Sequence, residues 1–262
     1  MKITINSIRN ISEVFKPSED LTVGGVDELV TKIGAQLGAV EEVIELGPKY
    51  QGIIIAKVVS CEKHPNADKL SVCLIDDGNK AKNVERNSDS LVQVVCGAPN
   101  VREGLFVAWL PPGATVPSTV GKDPFVLEAR ELRGVVSNGM LASPKELAIG
   151  DSHDGILETD GERTPGSDFA EEFKMSDEIV IDIENKMFTH RPDCFGWLGV
   201  SREIAGIKSI QFKSPDWYVP APQNPDKENE TLSLRVKNDL PQLAPRFTAI
   251  GMTNVKVGRS PV

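Results

Sequence analysis

No stretch of the 262-residue chain approaches the roughly 20 consecutive apolar residues that cross a bilayer, so no membrane-spanning helix is expected. The opening MKITINSIRN alternates polar and apolar positions and lacks the continuous apolar core of a secretory signal, which argues for the cytoplasm. Cysteine is sparse. Cys61, Cys73, Cys96 and Cys194 are scattered with no C-x-x-C pair, the usage expected of reduced, packed thiols. Histidine is sparser still, with only His64, His153 and His190. Cys61 and His64 have a C-x-x-H spacing, but a closed zinc site needs four ligands, so the expectation is a packed cysteine beside a turn histidine and no metal site. Aromatic residues make up 5% of the chain, and between Gln51 and Gly150 only Phe106, Trp109 and Phe125 occur, as suited to a core as to stacking on bases. Finally, there is no Ser/His/Asp arrangement, phosphate-cradling glycine loop or carboxylate pair to which a catalytic role can be given.

Net charge is −9, which argues against a chain that coats nucleic acid non-specifically. Its distribution is uneven. Gln51 to Gly150 carries eleven basic and eleven acidic residues, so the flanks hold the whole deficit and any polyanion site belongs to the neutral central part, local and modest in strength.

That central part reads as strands near Gly52–Ser60, Leu70–Ile75, Leu91–Cys96, Gly104–Leu110 and Val126–Leu132. Five strands at this spacing predict a small closed or nearly closed barrel. Between the first two lies HPNAD, a shaped corner: Pro65 fixes its own φ, while Asn66 and Asp68 can accept local backbone N–H bonds. Lys63 and Lys69 flank it and could both face a phosphate. Asp77 to Ser90 is polar and predicts a long mobile hairpin loop. Ser137, Asn138 and Gly139 are expected at the end of the fifth strand, where glycine allows close approach, and Ser143 to Leu147 has the capping-box pattern of a short helix.

On either side the patterns change. Lys2–Ile5 and Val40–Leu46 read as extended; Val26, Leu29, Val30, Ile33 and Leu37 mark one helix face, with Gly38 at its C-terminal cap. Ile179–Ile183 predicts a strand, Phe188–Phe195 a corner, and Trp197, Val200, Ile204 and Ile207 a second helix face. Ser214 to Glu230 holds four prolines and reads as a connector, followed by strands at Leu232–Val236 and Phe247–Val257. The domains expected are residues 1–46 and 156–212 as two parts of one discontinuous α+β domain, 47–155 as the inserted barrel, and 213–262 as linker plus the truncated start of a further domain. A fragment of a longer polypeptide is the simplest explanation of that abrupt end.

Three segments in order, HPNADKL at 64–70, VVCGAPNVREG at 94–104 and RGVVSNGMLASPKEL at 133–147, resemble the OB-fold tRNA-binding module found in the β subunit of bacterial phenylalanyl-tRNA synthetase and in several stand-alone tRNA-binding proteins. THRPDCFGWLGVSREIA at 189–205 is similar to the β subunit family's NRPD segment and following helix, with His190 where asparagine is usual. APRFTAI and VGRSP resemble the opening of its editing domain, with Ala244 and Phe247 where cysteine and tyrosine are common.

The resemblance implies a mixed α+β, multidomain chain carrying a five-stranded OB-fold barrel. It implies part of a class II ligase that attaches phenylalanine to tRNA with ATP and Mg²⁺, working as an α2β2 assembly with the α subunit and a second β subunit. It also implies that neither cofactor is held by this chain and that aminoacylation and editing lie elsewhere. The tRNA-binding residues expected are Lys63, His64, Lys69, Arg102, Arg130 and Arg133, with Ser137 and Asn138 as polar contacts at the barrel's open edge; RNA, not DNA, is the partner. Two other readings stay open: a protein-interaction module of the tetramer without RNA contact, and a stand-alone OB-fold tRNA-binding protein.

Overall fold

The computed structural model describes residues 1–159, 161–213, 237–245 and 254–258. The chain divides into two compact units, Met1–Lys213 and Ser214–Val262.

In the first unit, β1 (Lys2–Thr4) passes directly into α1 (Ile5–Phe15), followed by α2 (Gly25–Gln36) and β2 (Val40–Glu45). The Thr4 hydroxyl caps α1 by accepting the Ser7 N–H at 3.1 Å. Extended structure was expected through Ile5, and α1 was not anticipated. Ile5, Ile8 and Phe15 are its buried apolar residues, placed by the three- and four-residue spacing that a helix needs. Gly38 donates its N–H to Ile33 O, as a helix-ending residue should, and a Cβ there would lie 2.6 Å from Glu184 O, so close approach as well as capping requires glycine.

β10 (Ile179–Ile183), from the far end of the unit, inserts antiparallel between β1 and β2, with Ile3 opposite Ile181 and Val180 opposite Ile44. α5 (Trp197–Ile207) packs Val200 and Ile204 into the same cluster as Ile8, Leu29, Ile33 and Ile181. The amino-terminal and carboxy-terminal stretches of this unit therefore share one sheet and one hydrophobic cluster.

After the short α3 (Leu46–Lys49) comes β3 (Ile54–Lys63), the spine of a five-stranded antiparallel sheet. It pairs with β4 (Ser71–Asp76) on one side and β6 (Phe106–Leu110) on the other; β5 (Val92–Cys96) lies outside β4. A register shift between Val58 and Ser60 bends β3, which lets one strand serve both neighbours of a curving sheet. The continuous apolar run Ile53–Ala56 at its start is explained by burial on both faces. Ile54, Ala56 and Val58 join Cys73, Ile75, Val94, Val107 and Trp109 inside, while Ile53 and Ile55 face an outer layer with Ala108, Leu110, Leu157 and Phe169. That layer includes the start of α4 (Phe169–Glu172), whose Phe169 N–H bonds Ile53 O at 3.0 Å, so the barrel's packing runs beyond residue 155.

The fifth barrel strand is not the expected one. Residues of Val126–Leu132 form β7 (Ala129–Leu132), which pairs only with β8 (Val135–Asn138) as a separate ribbon. The fifth position belongs to β9 (Met140–Leu141), antiparallel to β6. Ser137 and Asn138 accordingly lie within a strand and not after one.

The polar 77–90 segment is ordered around a buried ion pair and is not a free loop. Asp77 is fully buried and receives Arg86 through both oxygens, at 2.6 and 2.9 Å, together with the N–H groups of Asn79 and Ala81. Ser143 and Glu146 form their reciprocal bonds, but the chain makes a capped turn there and no helix.

In the second unit, Asn238 bonds Ala244 O and Leu240 N–H across a turn. The strand expected at Leu232–Val236 lies outside the described residues, as does most of Phe247–Val257, and Asn254–Val257 form no strand.

Candidate nucleic-acid interface

β3 ends at Lys63, and the next residue turns inward. His64 is 5% exposed, its Nδ1 accepts the Asn66 backbone N–H at 3.0 Å, and its Nε2 lies 3.0 Å from Leu132 O. Because Nδ1 is an acceptor, the ring proton sits on Nε2 and donates to Leu132. Asn66 Nδ2 donates to Arg133 O at 3.0 Å. The HPNAD corner thus grips the turn between β7 and β8. That two-residue turn, Arg133 at φ 48° and Gly134 at φ 90°, has the doubly positive φ of a type I′ hairpin.

The consequence is that the corner and the ribbon turn, each carrying exposed cations, are held side by side. Lys63 and Lys69 on the corner, and Arg130 and Arg133 on the ribbon, are exposed and make no ion pair among the described residues. Two segments about sixty residues apart carry them, joined by His64 and Asn66. With both ring nitrogens committed, His64 has none to offer a phosphate or a metal; its work is to position its neighbours.

Ser137 and Asn138 also turn inward, at 2% and 3% exposure. Ser137 Oγ accepts the Val95 N–H and donates to Gly139 O; Asn138 Nδ2 donates to Gln93 O, while its own carbonyl accepts Trp109 Nε1–H. Gln93 Nε2 completes the set by donating to Val136 O at 2.8 Å. These bonds tie β5 to β8, just before the chain enters β9, through side chains, so the expected edge contacts are structural closures. Arg102 differs again: Glu158 clasps it through both oxygens, at 3.1 and 2.9 Å, and its Nη1 also donates to Asn100 O.

Sequence reasoning placed the four free cations and HPNAD. It missed Asn66 as a staple and missed two cavities beside the ribbon. A groove of about 650 Å³ is lined by Phe125, Val126, Arg130, Leu132 and Met140, with Phe125 54% exposed. A second cavity, of about 320 Å³, is lined by Cys96, Pro99, Glu146, His153 and Ile156, and shares Val95, Gly97 and Met140 with the first. Cys61 Sγ lies 3.5 Å from Cys73 Sγ, and burial pushes the Cys73 thiol up, which keeps it protonated.

Replacing His64 by alanine is expected to cost about 2 kcal/mol, since it strands the Leu132 carbonyl and the Asn66 N–H and opens a cavity. Urea denaturation measures that loss. Amide exchange at the 132–135 turn should rise more than in β3 if the ring holds the ribbon in place.

Residues 53–168 match the family described as a putative tRNA binding domain. Over its whole length the chain is 35% identical to the phenylalanine–tRNA ligase beta subunit of Desulfotalea psychrophila, covering 28% of that protein, and 34% identical to that of Nitrobacter winogradskyi, covering 29%. The beta subunit of Yersinia pestis is 37% identical over 83% of the chain, which covers 24% of it. The chain therefore spans about a quarter of the length of the curated relatives it matches. Residues 53–168 are thus similar to the putative tRNA binding domain family, and the chain along its length is similar to part of the phenylalanine–tRNA ligase beta subunits.

Proposed function

We propose that the barrel and its ribbon form a tRNA-binding element, with Lys63, Lys69, Arg130 and Arg133 as the phosphate contacts. The observation that carries this reading is the locking of the corner to the ribbon turn by His64 and Asn66, which holds close together two segments whose exposed lysines and arginines make no ion pair among the described residues. His64, Ser137 and Asn138 act indirectly, by holding those segments and closing the barrel. Arg102 is already neutralised by Glu158 and contributes least. Phosphate contacts of this kind position a nucleic acid without reading its sequence.

The element serves, on this reading, a cytoplasmic phenylalanine–tRNA ligase in which an α subunit and a second β subunit complete an α2β2 assembly. Among the described residues no group of three or more His, Cys, Asp or Glu could hold a metal ion. ATP and Mg²⁺ are assigned to the intact enzyme, and no contact proposed for this chain depends on either. The barrel module, residues 47–155 extended by its packing to the start of α4, interrupts a discontinuous α+β domain of 1–46 and the strand and helix near 179–207.

A second reading is favoured by one observation. Met187, Phe195 and Trp197 expose 68%, 48% and 54% of their surface within a short stretch, which suits a subunit contact. The two readings separate in one experiment. Changing Lys63, Lys69, Arg130 and Arg133 together to alanine should weaken tRNA binding at low salt by at least about tenfold. Undiminished binding would assign the barrel to assembly instead.

A further inference from the structure

The smaller cavity has an unusual balance of polar groups. Ser143 donates both its backbone N–H and its hydroxyl to Glu146 Oε2, each at 2.7 Å, and its Oγ accepts the Glu146 N–H at 3.3 Å. The single hydroxyl proton is thereby spent on the carboxylate. His153 Nδ1, 3.1 Å from Ser143 Oγ, is then the donor of that contact, and in the singly protonated tautomer this selects, Nε2 is an acceptor. Glu146 Oε1 and His153 Nε2 have no hydrogen-bond partner among the described residues. Glu146 and His153 both line the cavity, and with Oε1 and Nε2 as acceptors they suit a ligand that brings donors.

The remaining walls define the rest of its shape and character. Val95, Ala98, Pro99, Met140, Leu141 and Ile156 are apolar, and the volume of about 320 Å³ takes one flat heterocycle with room to spare. Val95, Gly97 and Met140 line both this cavity and the groove that carries Arg130, so the two lie next to each other. A polyanion whose phosphates lie along Arg130 and its cationic neighbours can turn a base into this neighbouring hole.

We propose that this cavity receives an unstacked guanine base of the bound RNA, read by Glu146 and His153. Guanine alone among the common bases offers an imino N–H beside an amino group on one edge. Adenine and cytosine place an acceptor nitrogen next to their amine, which would face the carboxylate, and uracil has a single N–H between two carbonyls. Recognition of an unpaired base by its edge in an apolar slot is the general way in which proteins read single-stranded RNA. The glutamate is held in place by Ser143 before any ligand arrives, so little ordering accompanies binding.

The inference rests on the RNA-binding reading, and the test is chosen to separate the two. Short uridine-rich single-stranded RNAs carrying one central guanosine, inosine or adenosine are titrated into the full chain by fluorescence anisotropy. The guanosine RNA should bind about tenfold more tightly than the adenosine RNA, and inosine, which lacks only the amino group, should lose most of that advantage. Glu146→Gln, which keeps an acceptor for Ser143, should shrink the guanosine-to-adenosine ratio towards one, and His153→Ala should reduce it in part. The guanosine–inosine comparison uses the unaltered protein and stands whether or not a variant folds. Equal binding of all three RNAs would overturn the guanine site and leave the phosphate contacts intact. Failure of every RNA to bind would overturn both. Glu146-dependent capture of an arginine-rich peptide, with no base preference, would assign the cavity to a protein partner and overturn it as well.

Discussion

Arg86→Ala should lower the stability of the folded chain by about 3–5 kcal/mol, a larger effect than any other single polar substitution in the barrel. Asp77 has no exposed surface, and Arg86 supplies two of its four hydrogen bonds at 2.6 and 2.9 Å. Arg86 also ties Ser90 O and Ala81 O, so one guanidinium organises both ends of the 77–90 segment. Removing it strands a buried carboxylate that water cannot reach. A companion variant changing Asp77 to asparagine as well should recover much of the loss, because an amide needs no counter-charge.

Acid should narrow the difference. Burial pushes the Asp77 carboxyl up, but the Arg86 guanidinium and the N–H groups of Ala81 and Asn79 outweigh it, and the group titrates below its ordinary 3.8. A carboxyl with a lowered folded pKa contributes stability that is present above its unfolded value and lost as pH falls through the folded one. The urea midpoints of wild type and Arg86→Ala are therefore expected to be well separated at neutral pH and to converge below about pH 4, as Asp77 gains a proton in both. A constant difference across that range would mean that Arg86 acts through its bonds to Ser90 and Ala81 alone.

Gly139→Ala should be of comparable severity, about 3–5 kcal/mol or outright failure to fold. Gly139 has φ 82°, and an added Cβ would lie 2.0 Å from Leu110 O, a backbone atom that cannot turn aside. The chain crosses at this residue from β8, bonded to β5 by side chains, to β9, paired with β6. Moving it breaks the closure made by Ser137, Asn138 and Gln93. Gly134→Ala is the informative control. Its φ of 90° is similar, but the nearest atom to a new Cβ is Asn66 Nδ2 at 3.5 Å. It should cost only about 1 kcal/mol, the backbone component by itself. Equal losses at the two positions would show that φ matters and closure does not.

The difference between those glycines also indicates what sequence could convey. β3, β4, β5 and β6 were legible because β-branched runs bounded by turn residues leave few alternatives. β9 was not, since two residues, Met140 and Leu141, carry no periodicity; Val126–Leu132 has the stronger strand composition, yet Val126 bridges Thr115 and Ala129–Leu132 pairs with β8, neither with β6. α1 was hidden by the extended character of KIT, although Ile5, Ile8 and Phe15 already held its face. Asp77 and Arg86 lie in a segment that is polar on average, and averaging conceals a bond between two particular residues.

Among the site residues, exposed lysines and arginines could be found by charge alone. His64, Ser137 and Asn138 could not be assigned, because whether a polar side chain faces solvent or its own backbone depends on strand register, which forms only in the fold. Glu146 and His153 come together through a turn at Ser143, and their spacing in the sequence gives no hint of a shared cavity.

The central claim is that Lys63, Lys69, Arg130 and Arg133 form a single phosphate-binding surface, and the salt dependence of tRNA affinity tests it most directly. For the wild-type chain, the logarithm of the association constant should fall linearly with the logarithm of salt concentration, with a slope between about −2 and −4. In the variant with all four changed to alanine, the slope should move toward zero by about 2 to 3, since each lost phosphate contact removes close to one unit. Identical slopes in the two proteins would contradict the account, because the RNA would then be held by some other part of the molecule.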